Sequence, residues 1–334
     1  MRESKKFPPG KFPPELMEKF LSSLPRDPRV LVGPKVGEDA AVVRVGRKLL
    51  AFKTDPITFT GKAIGWYGVN INANDIACVG AKPEWFLCTL LLPQKNSLKL
   101  GEEIFSELRE ACSSLGIYLI GGHTEVTPGI EHPILVGQMV GEVEGEPITS
   151  SGAKPGDKII LTKGVAIEGT YLIWRERQKE VESFLPPSSQ ERIKNFLKFP
   201  GISVVKEALL AKKKVKIHAL HDPTEGGLWA GLWEVAYASR VGIRIWEEKV
   251  PVFEETERIC RFYRLDPLGL LASGALLVFL PSQEAEKLLS LYRREKISAS
   301  LIGEVLSPEE GVKVIRRGEE KPFTFLRDEL SKII

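Results

Sequence analysis

Eight residues near the middle of the chain, Ser150-Ser151-Gly152-Ala153-Lys154-Pro155-Gly156-Asp157, form a dense cluster of turn-forming side chains. No strand or helix runs through such a stretch, so it divides the chain into two parts that must each bury a core. Both parts mix β-branched and apolar runs with amphipathic helical stretches, the pattern of α+β or α/β domains. A length of 334 residues fits two domains of about 150 residues each. The spacing predicts an arm and short helix over 1–30, a first domain over 31–150 and a second over 151–334.

In the first part, helical signals fall at 15–23, 62–79 and 100–115. Strand signals fall at 40–45, 48–53, 85–92, 117–120 and 134–143. The clearest helix places Ile104, Phe105, Leu108, Ala111, Cys112 and Leu115 on one stripe and ends at Gly116. In the second part, strands are expected at 158–162, 242–246, 274–280 and 301–305. Helices are expected at 167–177, 190–196, 203–211, 226–239, 254–262 and 283–294. No short-period repeat is present.

Hydrophobic residues at 43% and charged residues at 27% match an ordinary globular chain and argue against disorder. Lys+Arg 47 against Asp+Glu 44 leaves a net charge of +3, which supports neither a nucleic-acid binder nor a basic membrane binder. No apolar run approaches the ~20 residues a bilayer requires, and the Met-Arg-Glu-Ser-Lys-Lys start is not that of a signal peptide. Cys78, Cys88, Cys112 and Cys260 contain no C-x-x-C pair, so a disulfide framework and a cysteine-rich zinc site are not expected. The cytoplasm is the expected compartment. Five Asn and five Gln beside many Lys, Arg and Glu resemble a thermophile composition.

Five stretches carry candidate chemistry. Gly37-Glu38-Asp39-Ala40-Ala41 sets two carboxylates in a turn before a strand. They read as a solvated turn or as ligands for a hard cation. Lys53-Thr54-Asp55-Pro56 ends the next strand with an acid that is either a site residue or a turn initiator. Asn70, Asn72 and Asn74 gather three of the five asparagines on one helix, beside Asp75. Because Asn is a poor helix former, this concentration points to polar duty near a ligand or to a polar helix–helix contact. Gly121-Gly122-His123-Thr124-Glu125 follows a strand, and its glycines permit close approach to a ligand or a simple turn. His221-Asp222-Pro223-Thr224-Glu225-Gly226-Gly227 opens a helix whose first N–H groups suit an anion. The alternative there is a plain capped helix with glycines for close packing. There is no Walker loop, dinucleotide fingerprint or nucleophile elbow.

In this order, the stretches resemble the superfamily of aminoimidazole-ribonucleotide synthase, the hydrogenase-maturation dehydratase HypE, thiamine-monophosphate kinase and selenophosphate synthetase. The matching pieces are G-E-D-A-A at 37–41, T-D at 54–55, N-D-I-A-C-V-G-A-K-P at 74–83, G-G-H-T at 121–124, S-G-A-K-P-G-D at 151–157 and H-D-P-T-E-G-G-L at 221–228. HypE is the nearest in pattern, through D-P-L at 266–268 and I-G-E-V at 302–305. The resemblance implies an α+β protein of two domains. The N-terminal domain would form the sheet, the dimer and the ATP site, and the C-terminal domain an α+β sandwich. It implies ATP in the cleft between them and Mg²⁺ held by Asp39, Asp55 and Asp75. It also implies Asn74 beside the phosphates, a loop of Gly121 and Gly122 with Thr124 at the nucleotide, and Asp222, Thr224, Gly226 and Gly227 in the binding of ATP or an anionic acceptor. His123 is the candidate acid or base, or a spectator hydrogen-bond partner.

Three departures stand out. The Pro-Arg-Ile-Cys tail of HypE is absent from a chain ending Ser331-Lys332-Ile333-Ile334, so that acceptor is not expected. Glu38 replaces the first Asp of a G-D-D motif, and His123 replaces an Asp. The expected activity is therefore ATP- and Mg²⁺-dependent phosphoryl transfer, or dehydration or ligation driven by it. The acceptor is an unidentified small molecule or a protein-borne group. The expected assembly is a homodimer, with no nucleic-acid or membrane partner. Two other readings are a nucleotide-binding accessory protein without turnover and a zinc hydrolase using His123 and His221. The arm at 1–14 is expected to close over the nucleotide.

Overall fold

The computed structural model describes residues 12–58, 62–323 and 327–333. Residues 1–11, most of the expected arm, lie outside the described residues. The short helix α1 (Pro14–Leu21) precedes the first sheet. That sheet contains β1 (Val30–Val32), β2 (Ala41–Val45), β3 (Lys48–Ile57), β4 (Ala81–Pro93), β5 (Tyr118–Thr127) and β6 (Ile134–Val143), in the order β1-β2-β3-β6-β4-β5. Its pairings are antiparallel except β4 with β5. Burial alternates along β4 and β6 with the period of two that one covered face requires. The helices α2 (Ile64–Cys78) and α3 (Ser97–Leu115) pack together, and α2 lies on β3, β4 and β6.

Helix α2 is buried almost all round, including Asn70, Asn72, Asn74 and Asp75. A helix without a polar face belongs in the interior, and α2 also meets the second half of the chain. Its first turn is tied down by Glu107 of α3, whose carboxylate accepts from the Ala63 and Gly65 amides at 3.0 Å each.

The second sheet contains β7 (Lys158–Thr162), β8 (Ala219–His221), β9 (Gly242–Trp246), β10 (Leu277–Leu280), β11 (Ala299–Leu306), β12 (Val312–Arg316) and β13 (Glu319–Pro322). The order is β13-β12-β9-β11-β7-β10-β8. Its helices are α4 (Ile167–Glu176), α5 (Gln178–Phe184), α6 (Pro187–Asn195), α7 (Val205–Lys214), α8 (Gly227–Ser239), α9 (Glu254–Tyr263) and α10 (Ser282–Arg294). The edge strand β8 and helix α7 both touch α2, so the two sheets meet across that helix. No helix among the described residues is long and apolar enough to cross a membrane.

The expected loop after residue 120 is strand instead. Strand β5 continues to Thr127, with Gly122 paired to Cys88 and His123 to Thr89. Gly122 has φ +148°, and a Cβ there would stand 2.0 Å from the Cys88 carbonyl oxygen. The close strand-to-strand approach by itself requires a glycine there.

Candidate functional site

The first sheet, α2 and β8 deliver acidic side chains to one cavity of about 530 Å³ between the two halves. Asp39 comes from the turn before β2. Lys53 and Asp55 alternate along β3, so they share a face. Asp75 comes from α2, and Asp222 and Thr224 follow β8. All six residues line the cavity. Lys53 Nζ lies 3.4 Å from Asp75 Oδ2 and 3.6 Å from Asp55 Oδ2. His221 bridges the halves, with Nδ1 2.8 Å from Asp39 Oδ1 and Nε2 3.0 Å from Glu234 Oε2 on α8. Ser150 of the central turn cluster donates its hydroxyl to Asp39 Oδ2 at 3.0 Å.

Burial and mutual repulsion dominate the electrostatics. Desolvation pushes the Asp75 carboxyl well above the usual range; Lys53 opposes the shift, and the charges of Asp222, Asp55 and Asp39 reinforce it. Desolvation and the Asp39 charge lift Asp222 to about 7. Burial disfavours the charged form of Lys53, yet Asp75, Asp55, Asp39 and Asp222 together hold its pKa above the ordinary value. Burial likewise works against protonated His221, but Asp39 and Glu234 raise its pKa well above normal. Asp222 Oδ2 is buried without a hydrogen-bond partner, and so is Asp75 Oδ2 apart from its ion pair with Lys53. Under-satisfied hard oxygens of this kind, which shed their protons when a cation binds, fit a divalent ion.

The family model described as AIR synthase related protein, N-terminal domain, matches residues 37–143, and the one for the C-terminal domain matches residues 154–315. The chain belongs to the AIR synthase related family. It is 29% identical over 289 residues to a protein of Methanocaldococcus jannaschii named as a hydrogenase expression/formation protein, covering 84% of this chain and 83% of that one. It is 26% identical to carbamoyl dehydratase HypE of Rhizobium leguminosarum bv. viciae, covering 82% and 78%. A solved structure of the hydrogenase maturation protein HypE in complex with ATP superposes with a TM-score of 0.71 at 25% identity, covering 94% of this chain and 90% of that one.

Within this AIR synthase fold, Asp39, Asp55, Asp75, Asp222 and Thr224 come together, but several expected site residues do not. Asn74 faces away from the cavity. Its Nδ2 donates to the Ile202 carbonyl at 2.8 Å, and its Oδ1 accepts from the Val204 amide at 2.8 Å. Asn70 and Asn72 donate to the Trp66 and Gly68 carbonyls at 2.8 Å each. The asparagines therefore serve a buried helix and its contact with the second half. Asn74→Ala is expected to lower stability by about 2 kcal/mol, because it strands two buried backbone groups; urea unfolding measures this.

Gly226 and Gly227 do not line the cavity. The Gly226 amide already donates to Asp328 Oδ2 at 2.5 Å. Gly227 has φ +64°, and a Cβ there would meet the Leu268 carbonyl at 2.5 Å, so close packing explains that glycine. Gly121, Gly122, His123 and Thr124 lie on the exposed strand β5, outside the cavity. His123 is exposed on β5, contacts Glu125 Oε2 at 3.1 Å and does not line the cavity that His221 lines. Glu38 lines the cavity but accepts from the Ser150 amide at 3.1 Å and the Ser151 hydroxyl at 2.5 Å. It fastens the central turn cluster. Of the expected arm, Phe12 and Pro14 line the cavity.

Lys53, His221 and Glu234 are the members that the sequence reading left without a role in the cluster. Lys53 could have been found from its i,i+2 spacing to Asp55. Glu234 carries no sequence signal, since only the fold brings it to His221.

Proposed function

We propose that this chain binds ATP with Mg²⁺ in the acidic cavity and uses the γ-phosphate on an amide, carbonyl or phosphate oxygen of a small-molecule or protein-borne acceptor. The observation that carries this reading is the convergence of Asp39, Asp55, Asp75 and Asp222 around Lys53 in one cavity. Four carboxylates against Lys53 and a protonated His221 would repel a bare triphosphate. They suit a triphosphate that arrives with a divalent cation. Asp39, Asp55 and Asp75 would hold Mg²⁺, and Asp222 adds a fourth oxygen donor. When bound, the ion supplies charge neutralisation and Lewis acidity toward phosphate oxygens. Lys53 keeps the carboxylates of β3 and α2 together, and His221 holds Asp39 in orientation.

The similarity to proteins named carbamoyl dehydratase HypE supports an amide-type oxygen as the acceptor atom. Phosphorylating that oxygen turns a poor leaving group into phosphate, which permits dehydration. Incubation with ATP, Mg²⁺ and carbamoylated acceptors should release ADP in proportion to acceptor. Saturable ATP binding without ADP under every acceptor would replace this reading with that of an accessory protein.

Asp222 and Asp75 are both held toward their protonated forms, so metal binding must expel protons. Below pH about 7, the apparent affinity for Mg-ATP is expected to fall by up to about tenfold per unit for each proton expelled, beyond the titration of ATP itself. A flat profile in calorimetric titrations would contradict the assignment of Asp222.

We also assign the chain to a homodimer joined along β5. Tyr118, Leu119, Ile120 and Val126 are exposed on this outer strand, and an apolar open edge favours pairing. Across that interface, Gly121, Gly122, His123 and Thr124 would reach the partner copy and its nucleotide. Ile120→Glu is expected to shift the protein to monomer in sedimentation velocity runs.

A further inference from the structure

Behind the acidic cavity lies a donor that the proposed reading leaves unused. Cys78 closes the last turn of α2, three residues after Asp75 and so on the same side of the helix. Its Sγ, a carboxylate oxygen of Asp39 and one of Asp222 all lie within 4.8 Å of one another. All three residues are buried. The thiol donates to Asp222 Oδ1 at 3.4 Å, while Asp222 Oδ2 has no hydrogen-bond partner. Asp39 and Asp222 line the cavity and Cys78 does not, which places the thiol behind them.

A buried cysteine commonly acts as a small apolar filler. Cys88, Cys112 and Cys260 are also buried and free, but among the described residues only Cys78 joins two further metal-capable donors. A filler has no use for two converging carboxylates, one of them with an oxygen unsatisfied. Four-coordinate bonds of about 2.0–2.3 Å set donors roughly 3.5 Å apart, a separation that carboxylate rotation can reach from the present geometry.

We propose that Asp39, Cys78 and Asp222 form a mixed thiolate–carboxylate subsite for a thiophilic divalent cation of the Zn²⁺ or Cd²⁺ class. Sulfur selects such ions over Mg²⁺, which prefers oxygen alone. On binding, the S–H bond breaks, a sulfur–metal bond forms and the proton passes to solvent. The subsite shares the cavity of the proposed nucleotide site but does not require a nucleotide.

The test is titration of Cd²⁺ into metal-stripped, nucleotide-free full-length protein, read by the thiolate-to-cadmium charge-transfer absorbance. The expected result is a single saturable band that is lost in Cys78→Ser and retained in Cys88→Ser and Cys112→Ser. Asp222→Asn, which keeps the thiol, should weaken cadmium binding by about tenfold or more. No band in the parent protein, or a band that persists in Cys78→Ser, would overturn the subsite. Where Cys78→Ser does not fold, undiminished cadmium affinity in Asp222→Asn overturns it instead. Mg-ATP binding is measured on the same preparations. Intact Mg-ATP binding without the cadmium band sinks the subsite alone. A cadmium band without Mg-ATP binding sinks the nucleotide reading and leaves the subsite standing.

Discussion

Asp75→Asn is expected to weaken Mg-ATP binding on the order of a hundredfold while the protein stays folded. The Asp75 side chain is 9% exposed, and its Oδ2 faces Lys53 at 3.4 Å. Asn has the same shape, so the packing of α2 against β3 survives. The change removes a formal charge from the donors that would hold the ion. The effect on stability is small because two contributions oppose each other. Burial and neighbouring acids already disfavour the charged carboxylate, so neutralising it relieves repulsion, while Lys53 loses one of its two near partners. Asp55→Asn should act in the same direction but more weakly, since Asp55 is 37% exposed and more screened by solvent. Calorimetric titration with Mg-ATP, alongside thermal unfolding, checks both. Parent-like binding in both variants would remove the metal assignment.

The acids of this cluster were legible through the order of the motifs that resemble the family; taken locally, an Asp in a turn or beside a strand serves equally as a turn initiator or cap. Asp39 and Asp222 sit in this way, whereas the stretch 53–56 does not end its strand: β3 runs on to Ile57 and pairs Asp55 with Gly137 of β6. The asparagines misled for a different reason. Their rarity elsewhere suggested ligand duty, yet α2 lacks a polar face, and an interior helix needs amides to satisfy the backbone groups it meets. The absence of amphipathicity in α2 was the signal for that reading. Strand β5 was underestimated because Gly121-Gly122 reads as a turn; only the parallel pairing with β4 shows that glycine serves the Cys88 carbonyl. Strand β13, Glu-Glu-Lys-Pro, is exposed throughout and has no apolar alternation to reveal it. The bridge from His221 to Glu234 depends on α8 lying beside β8, a tertiary fact with no local sequence pattern.

Lys53→Met should cost about 2–4 kcal/mol of stability in metal-free protein, because it leaves the buried carboxylates without their nearest cation. Lys53 is the only amine placed within 4 Å of both Asp55 and Asp75 among the described ion pairs. In its absence, among the described residues, His221 is the buried counter-charge left to Asp39, Asp55, Asp75 and Asp222. The deficit should depend on pH. Lys53 has a raised folded pKa, so its contribution is fully present below the unfolded value of about 10.4. What varies near neutrality is the charge it opposes. As pH falls, Asp222 and Asp75 take up protons and the repulsion fades, so the gap between variant and parent narrows; as pH rises, the gap widens. Mg²⁺ without nucleotide should then stabilise Lys53→Met more than the parent, because the ion takes over the neutralisation that the ammonium supplied. Urea unfolding at several pH values, with and without Mg²⁺, reads both effects. A variant as stable as the parent, or one indifferent to Mg²⁺, would show that the carboxylates do not act as one charged cluster, and the electrostatic basis of the site would fail with it.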